Sequence, residues 1–150
     1  MKKQVRQGFT LVEVLIVVVI MAVLAATIIP QFSDSTKDAK LSSLKFNLHT
    51  LRSQIQMYKS QHDGKLPTAT LIELTSKTDT SGTVGTGATH VYGPYIATIP
   101  PNQFSGKNAI KSITNTPPAA GDVTANNGGG WLYNATTGEI WADDATYLTQ

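Results

Sequence analysis

Two hydrophobic patterns follow one another along the first sixty residues of the chain. From Phe9 to Ile29 all but three residues are apolar, and the single charge is Glu13. No polar face interrupts this run, and its 21 residues are enough helix to cross a hydrocarbon core of roughly 30 Å. After Phe32 the pattern changes. Leu41, Leu44, Leu48, Leu51, Ile55 and Tyr58 recur at steps of three and four with polar residues between them, the stripe of an amphipathic helix. The whole helix, Phe9 to about Gln61, would measure roughly 80 Å. Pro30 predicts a bend or local break, with Ser33 or Asp34 capping a restart. The second half belongs against a globular head, because the stripe is too short for a sustained coiled coil. Phe46 and Met57 lie off the stripe, free to meet another molecule.

"HDGKLPT" (62–68) closes the helix, with Gly64 as the expected C-cap and Pro67 following. Residues 69–77 predict a short helix or turn. "TDTSGTVGTGAT" (78–89) reads as an exposed, mobile loop. "VYGPYIATIP" (91–100) has extended character, restricted by its prolines to an edge or loop. A second loop covers 114–130, and "WLYN-ATTG-EIWAD" (131–143) predicts a β-hairpin whose aromatics pack in the core. The fold class is therefore α+β, a long N-terminal helix packed on a small antiparallel sheet.

Charge sharpens the reading of the N-terminus. The formal net charge is +2, but Lys2, Lys3 and Arg6 precede the apolar run. Without them the basic count falls from 12 to 9 against 10 acids, a net of −1. The basicity is thus a targeting signal, and no later basic patch supports a nucleic-acid footprint. Basic residues ahead of the helix predict a cytoplasmic N-terminus and an exported C-terminal part. Gly8, the best small residue for cleavage, lies before the apolar run, whereas a secretory signal is cut after it. Cutting there would leave the membrane helix on the mature protein. Cysteine is absent, which excludes disulfides and thiolate metal sites.

Glu13 demands an explanation, since a charge near the bilayer centre costs roughly 2.5–3.5 kcal/mol on insertion scales. Either it snorkels to the headgroups, or it has a partner. "KKQVRQGFTLVEVLIVVVIMAVLAATIIPQF" resembles the N-terminal signature of type IV pilins and type II secretion pseudopilins, most like the major, G-type pseudopilin. The "HDGKLPT" and "PPNQF" segments resemble that family too, although Gln103 stands where proline or tryptophan is more usual. The resemblance implies a leader, 1–8, removed by a prepilin peptidase between Gly8 and Phe9, with N-methylation of Phe9. It implies a membrane or filament-core helix over 9–30, and an amphipathic helix with a periplasmic head over 31–150. Glu13 would pair with the Phe9 ammonium of a neighbouring subunit, and Pro30 marks where the helix melts on assembly.

The partners so implied are further copies in a helical homopolymer, an inner-membrane assembly platform, minor pseudopilins or pilins, and lipid before assembly. The location would be the bacterial inner membrane, single-pass, and then a periplasmic or surface filament. Nucleic acid enters only for a DNA-uptake pilin. The leading function is a structural subunit of type II protein secretion. The alternatives are a type IV pilin forming a surface fibre, and a membrane-anchored calcium- or solute-binding module that does not polymerise.

Chemistry elsewhere is sparse. His49, His62 and His90 lack metal-ligand spacing, "GGGW" lacks the context of a phosphate loop, and no catalytic set stands out. The reading is of a non-enzyme that requires no cofactor. "NAT" at 134–136 is a glycosylation sequon by letters alone. Asp122, Glu139, Asp143 and Asp144 offer hard oxygen ligands, and the G-type resemblance implies calcium in a C-terminal loop. A solvated acidic edge is the competing account of the same four residues.

Overall fold

The computed structural model describes residues 8–125 and 128–149, with the side chains of 29–33 outside the description. Lys2, Lys3, Arg6 and the rest of the leader before Gly8 lie outside the described residues, as do Asn126 and Asn127. The chain divides into two units, Met1–Ala39 and Lys40–Gln150. The elements in order are α1 (Leu11–Gln61), α2 (Ile72–Thr75), β1 (Ile110–Ser112), a 3-10 turn (Ala120–Asp122), β2 (Trp131–Asn134) and β3 (Glu139–Ala142).

In the first unit, α1 is apolar all round, and its window Leu11–Ile28 is long and apolar enough to cross a membrane. All of those side chains are exposed. The backbone stays helical from Leu11 to Gln61, so the break at Pro30 and the restart at Ser33 or Asp34 do not occur. Within an apolar helix a proline costs one main-chain bond, and the turns on either side can hold the helix together.

In the second unit, the stripe predicted from periodicity is the core. Leu44, Leu48, Leu51, Ile55 and Tyr58 are buried, with Leu41 half-buried beside them. They pack with Leu71, Leu74, Trp131, Tyr133, Ile140 and Ala142. Alternation along β2 and β3 sends Trp131, Tyr133, Ile140 and Ala142 to this cluster. It sends Leu132 and Trp141 to a second cluster with Ile113, Val123 and Leu148. Both faces of the hairpin are therefore covered, and its aromatics are packing residues. Burial pushes the Tyr58 and Tyr133 hydroxyls up from their ordinary range.

The sheet is mixed, not wholly antiparallel as expected. The order is β1-β2-β3, with β2 antiparallel to β3 and β1 parallel to β2. The reason is connection length. Residues 135–138 are a tight hairpin turn, whereas 113–130 are long enough to carry the chain back to the starting end, which a parallel pairing requires. Asn134 organises the hairpin turn. Its Oδ1 accepts from Thr136 and Thr137 N–H, and its Nδ2 donates to Thr114 O and Thr116 Oγ1. It is buried, so the sequon is closed to a glycosylating enzyme.

Helix α1 ends through two successive left-handed residues, Asp63 (φ 52°) and the expected Gly64 (φ 80°). His62 is fully buried there and stacks on Tyr58 at 3.9 Å. Its Nδ1 meets Tyr58 O at 2.8 Å and its Nε2 meets Thr78 Oγ1 at 3.0 Å. A carbonyl only accepts, so Nδ1 carries a proton in this arrangement. Through Thr78 this histidine ties down the 78–92 segment, which is pinned rather than a free loop. Thr78 bridges both Val84 and Tyr92, and Asp79 Oδ1 accepts from Ser81 N–H, Ser81 Oγ–H and Thr83 N–H. Those bonds, led by the Ser81 hydroxyl, hold the Asp79 carboxyl down at about 2. The proline-rich segment is likewise held by its carbonyls. Trp131 Nε1 donates to Pro100 O, and Asn47 Nδ2 donates to Pro101 O.

Two outcomes follow. Leu51→Ala should destabilise the head by about 2–5 kcal/mol, while Phe46→Ala on the exposed face should stay within about 0.5 kcal/mol. Denaturant titration of the full chain in detergent checks both. Asp79 binds its proton less readily folded than unfolded, so its contribution is fully present above the unfolded value of 3.8 and is lost as pH falls toward about 2. Asp79→Asn should therefore flatten the fall of melting temperature across that window and leave its shape at neutral pH unchanged.

Candidate functional site

The N-terminal site is built from four residues. Gly8, Phe9 and Thr10 are non-helical, and α1 begins at Leu11. The first intrahelical bond runs from Val14 N–H to Thr10 O at 3.3 Å, which makes Thr10 the N-cap and Glu13 the third helical residue. Thr10 Oγ1 accepts from Glu13 N–H at 3.2 Å. Glu13 Oε2 accepts from both Thr10 N–H and Thr10 Oγ1–H at 2.7 Å. This is a reciprocal capping box.

The box explains how a carboxylate survives at the mouth of an apolar helix. Unpaired amides at a helix start present partial positive charge, and an anion there is stabilised. Glu13 satisfies donors that lipid cannot, and those donors in turn compensate its charge. Both bonds go to Oε2, and Oε1 accepts none among the described residues. Thr10 is the capping residue that the sequence reading missed. Its signal was present, since T-x-x-E ahead of an apolar run is the capping-box pattern.

Gly8 and Phe9 lie in the non-helical entry ahead of α1. Among the described residues a Cβ at Gly8 would meet nothing within 4 Å, so no described contact calls for glycine there. Pro30 lies within helical backbone, and its side chain is outside the description.

Three of the four acids considered for calcium, Asp122, Asp143 and Asp144, accept hydrogen bonds from loop groups. Asp122 Oδ2 accepts from Asn115 Nδ2 and Ala119 N–H, and the Asn115 bond leads in holding its carboxyl below the ordinary range. Asp143 is fully buried, with Thr124 N–H on Oδ1 and Thr124 Oγ1–H on Oδ2. A Cβ at Gly129 would overlap that carboxylate, so the glycine run admits it. Asp144 Oδ1 accepts from Thr146 N–H, and Glu139 is exposed at the start of β3. Among the described residues no group of three or more histidines and carboxylates is placed to hold a metal ion. Asp122, Asp143 and Asp144 act as loop caps.

Comparison with known proteins bears on the same end of the chain. Residues 3–29 match the family model described as the prokaryotic N-terminal methylation motif. The chain is 36% identical over 59 residues to the type II secretion system core protein G of Pseudomonas aeruginosa. It is 34% identical over 59 residues to the protein of the same name from Klebsiella michiganensis. Each match covers 39% of this chain and 42% of the relative, so the chain spans less than half the length of either. It is also 28% identical over 67 residues to a ComG operon protein 3 homolog of Bacillus licheniformis, covering 45% of this chain and 69% of that one. No solved structure matches.

Thr10→Ala should release the start of α1 by about 0.5–2 kcal/mol, the usual cost of a lost N-cap. Amide hydrogen exchange in detergent micelles should accelerate at Leu11, Val12 and Glu13, and Thr10→Ser should restore protection.

Proposed function

Residues 3–29 carry the N-terminal methylation motif shared by type IV pilins and type II secretion pseudopilins, and from that premise we propose that this chain is a major pseudopilin-like filament subunit. The observation that carries the reading is the coincidence of three features on adjacent residues. A glycine with open space at its Cβ among the described residues precedes Phe9, a capping box starts the helix, and an exposed apolar helix follows. In this reading a prepilin peptidase cuts between Gly8 and Phe9 and methylates the new amine, which keeps its positive charge. Before assembly α1 anchors the chain in the inner membrane, with the head on the periplasmic side. On assembly the helices exchange lipid for one another.

Glu13 then has two partners. Oε2 stays with Thr10, and the open Oε1 receives the Phe9 ammonium of the next subunit. In a low-dielectric bundle, an unpaired charge on either side is costly, so the pair sets the axial register. The similarity to the ComG operon protein 3 homolog supports a second reading, a type IV pilus-like surface fibre. Both readings assign the chain a structural role. They differ in where the filament ends, which electron microscopy of cells expressing the chain with each assembly machinery distinguishes.

Two variants separate processing from assembly. Gly8→Glu should block leader removal when the chain is co-expressed with a prepilin peptidase, leaving the N-terminus uncut by mass spectrometry. Normal trimming would overturn the processing assignment. Glu13→Leu should insert at least as well as the wild type, because a charge has left the helix, yet yield far fewer filaments. Wild-type filament yield would remove the charge pair from the account.

A further inference from the structure

Opposite charges three or four residues apart stabilise a surface helix, and like charges at that spacing weaken it. The charges of α1 are sorted by sign instead of interleaved. Asp34 and Asp38, both exposed, form a like-charged i, i+4 pair. From Ala39 to His62 the chain has no acid, and its cations are Lys40, Lys45, Arg52 and Lys59. Lys45, Arg52 and Lys59 recur at every seventh residue, which sets single charges in one line along the helix.

The charges differ in what already holds them. Arg52 Nη2 donates to Ile140 O at 3.1 Å, and Glu139 lines the same groove as Arg52 and Gln56. Lys45 is exposed and has no hydrogen-bond or ion-pair partner among the described residues. Asp34 and Asp38 have none either, and the neighbouring Lys37 pairs with neither of them. The helix thus bears an acid pair and a lysine that the chain itself leaves unmatched.

A second copy matches them. Asp38 lies seven residues and Asp34 eleven residues before Lys45. A parallel copy displaced along the axis by that much brings its two acids to the Lys45 of the copy beside it. The displacement has the same sense as the one that brings the Phe9 ammonium of a neighbour to Glu13. Parallel copies without it would set lysine against lysine and acid against acid, and facing like charges are unfavourable.

We propose that Asp34 and Asp38 of one subunit clasp Lys45 of a neighbouring copy, a second polar contact that fixes the axial offset between subunits. This contact presupposes the filament reading and lies beyond the apolar window Leu11–Ile28. An exposed ion pair contributes little once, but a filament repeats it at every subunit. Its larger effect is on register, because offsets that misalign the charges are penalised.

The chain has no cysteine, so introduced ones report alone. Positions 38 and 45 are two helical turns apart, too far for a disulfide within one chain. Two differently tagged chains, one Asp38→Cys and the other Lys45→Cys, are co-expressed with a prepilin peptidase and an assembly machinery. Oxidation should link them as heterodimers, and Asp38→Cys paired with Lys59→Cys should give at least about fivefold less product. In a second arm, Lys45→Asp should lower filament yield at least about fivefold, and adding Asp38→Lys to the same chain should recover about half of the wild-type yield. The melting temperature of the Lys45→Asp chain in detergent should match the wild type, since the side chain is exposed. A wild-type chain that makes no filament would overturn the filament reading and this contact with it. Filaments without the heterodimer, wild-type yield from Lys45→Asp, or a loss that Asp38→Lys leaves unrepaired would each overturn the contact alone.

Discussion

The head rests on a single burial event, the closing of the Leu44–Tyr58 stripe of α1 over Trp131 and Tyr133. Three strands of three or four residues cannot hold a sheet on their own in water. They persist because β2 has two apolar faces, one set on the helix and the other on Ile113, Val123 and Leu148. The helix in turn gains its fixed position from the sheet rather than from intrinsic propensity. Each buried large side chain contributes on the order of 1.5–3 kcal/mol, so the stripe outweighs any single loop contact.

Around that core, side chains do much of the work that regular structure does elsewhere. Asp79, Asn102, Asn134 and Asp143 each bind main-chain groups of irregular segments. Asn102 illustrates the device. It is fully buried, donates to Gly130 O and accepts from Phe104 N–H, and so fastens the 100–107 turn to the entry of β2. Buried amides and carboxylates are tolerable only when paired in this way. The same requirement accompanies the burial of Asp143 and Asp144, whose carboxylates each accept loop donors.

The capping box at Thr10 and Glu13 follows that logic in a different solvent. Water can satisfy the free amides at a soluble helix start, but hydrocarbon cannot. A carboxylate anchored on those amides is therefore less foreign to the bilayer than its formal charge suggests. In the filament reading it keeps one oxygen for its own helix and offers the other to a neighbour. Membrane compatibility and assembly then draw on one side chain without conflict.

Periodicity alone was sufficient for the helix, its exposed apolar first half and its buried stripe. Local patterns also located the closing turn at Gly64 and the 131–143 hairpin. These features depend on residues within one or two turns of each other, and a linear pattern records them directly. The acid at Glu13 was legible for the same reason, although the role of Thr10 in the T-x-x-E pattern was overlooked. The parallel seat of β1, the pinning of 78–92 under His62 and Thr78, and the inward turn of Asp143 were not legible. Each joins residues far apart in the chain, and composition there suggested only loops and a solvated or metal-binding edge. Threonine, glycine and aspartate read alike in a free loop and in a capped one, because only the folded core brings them the donors and acceptors that choose between the two.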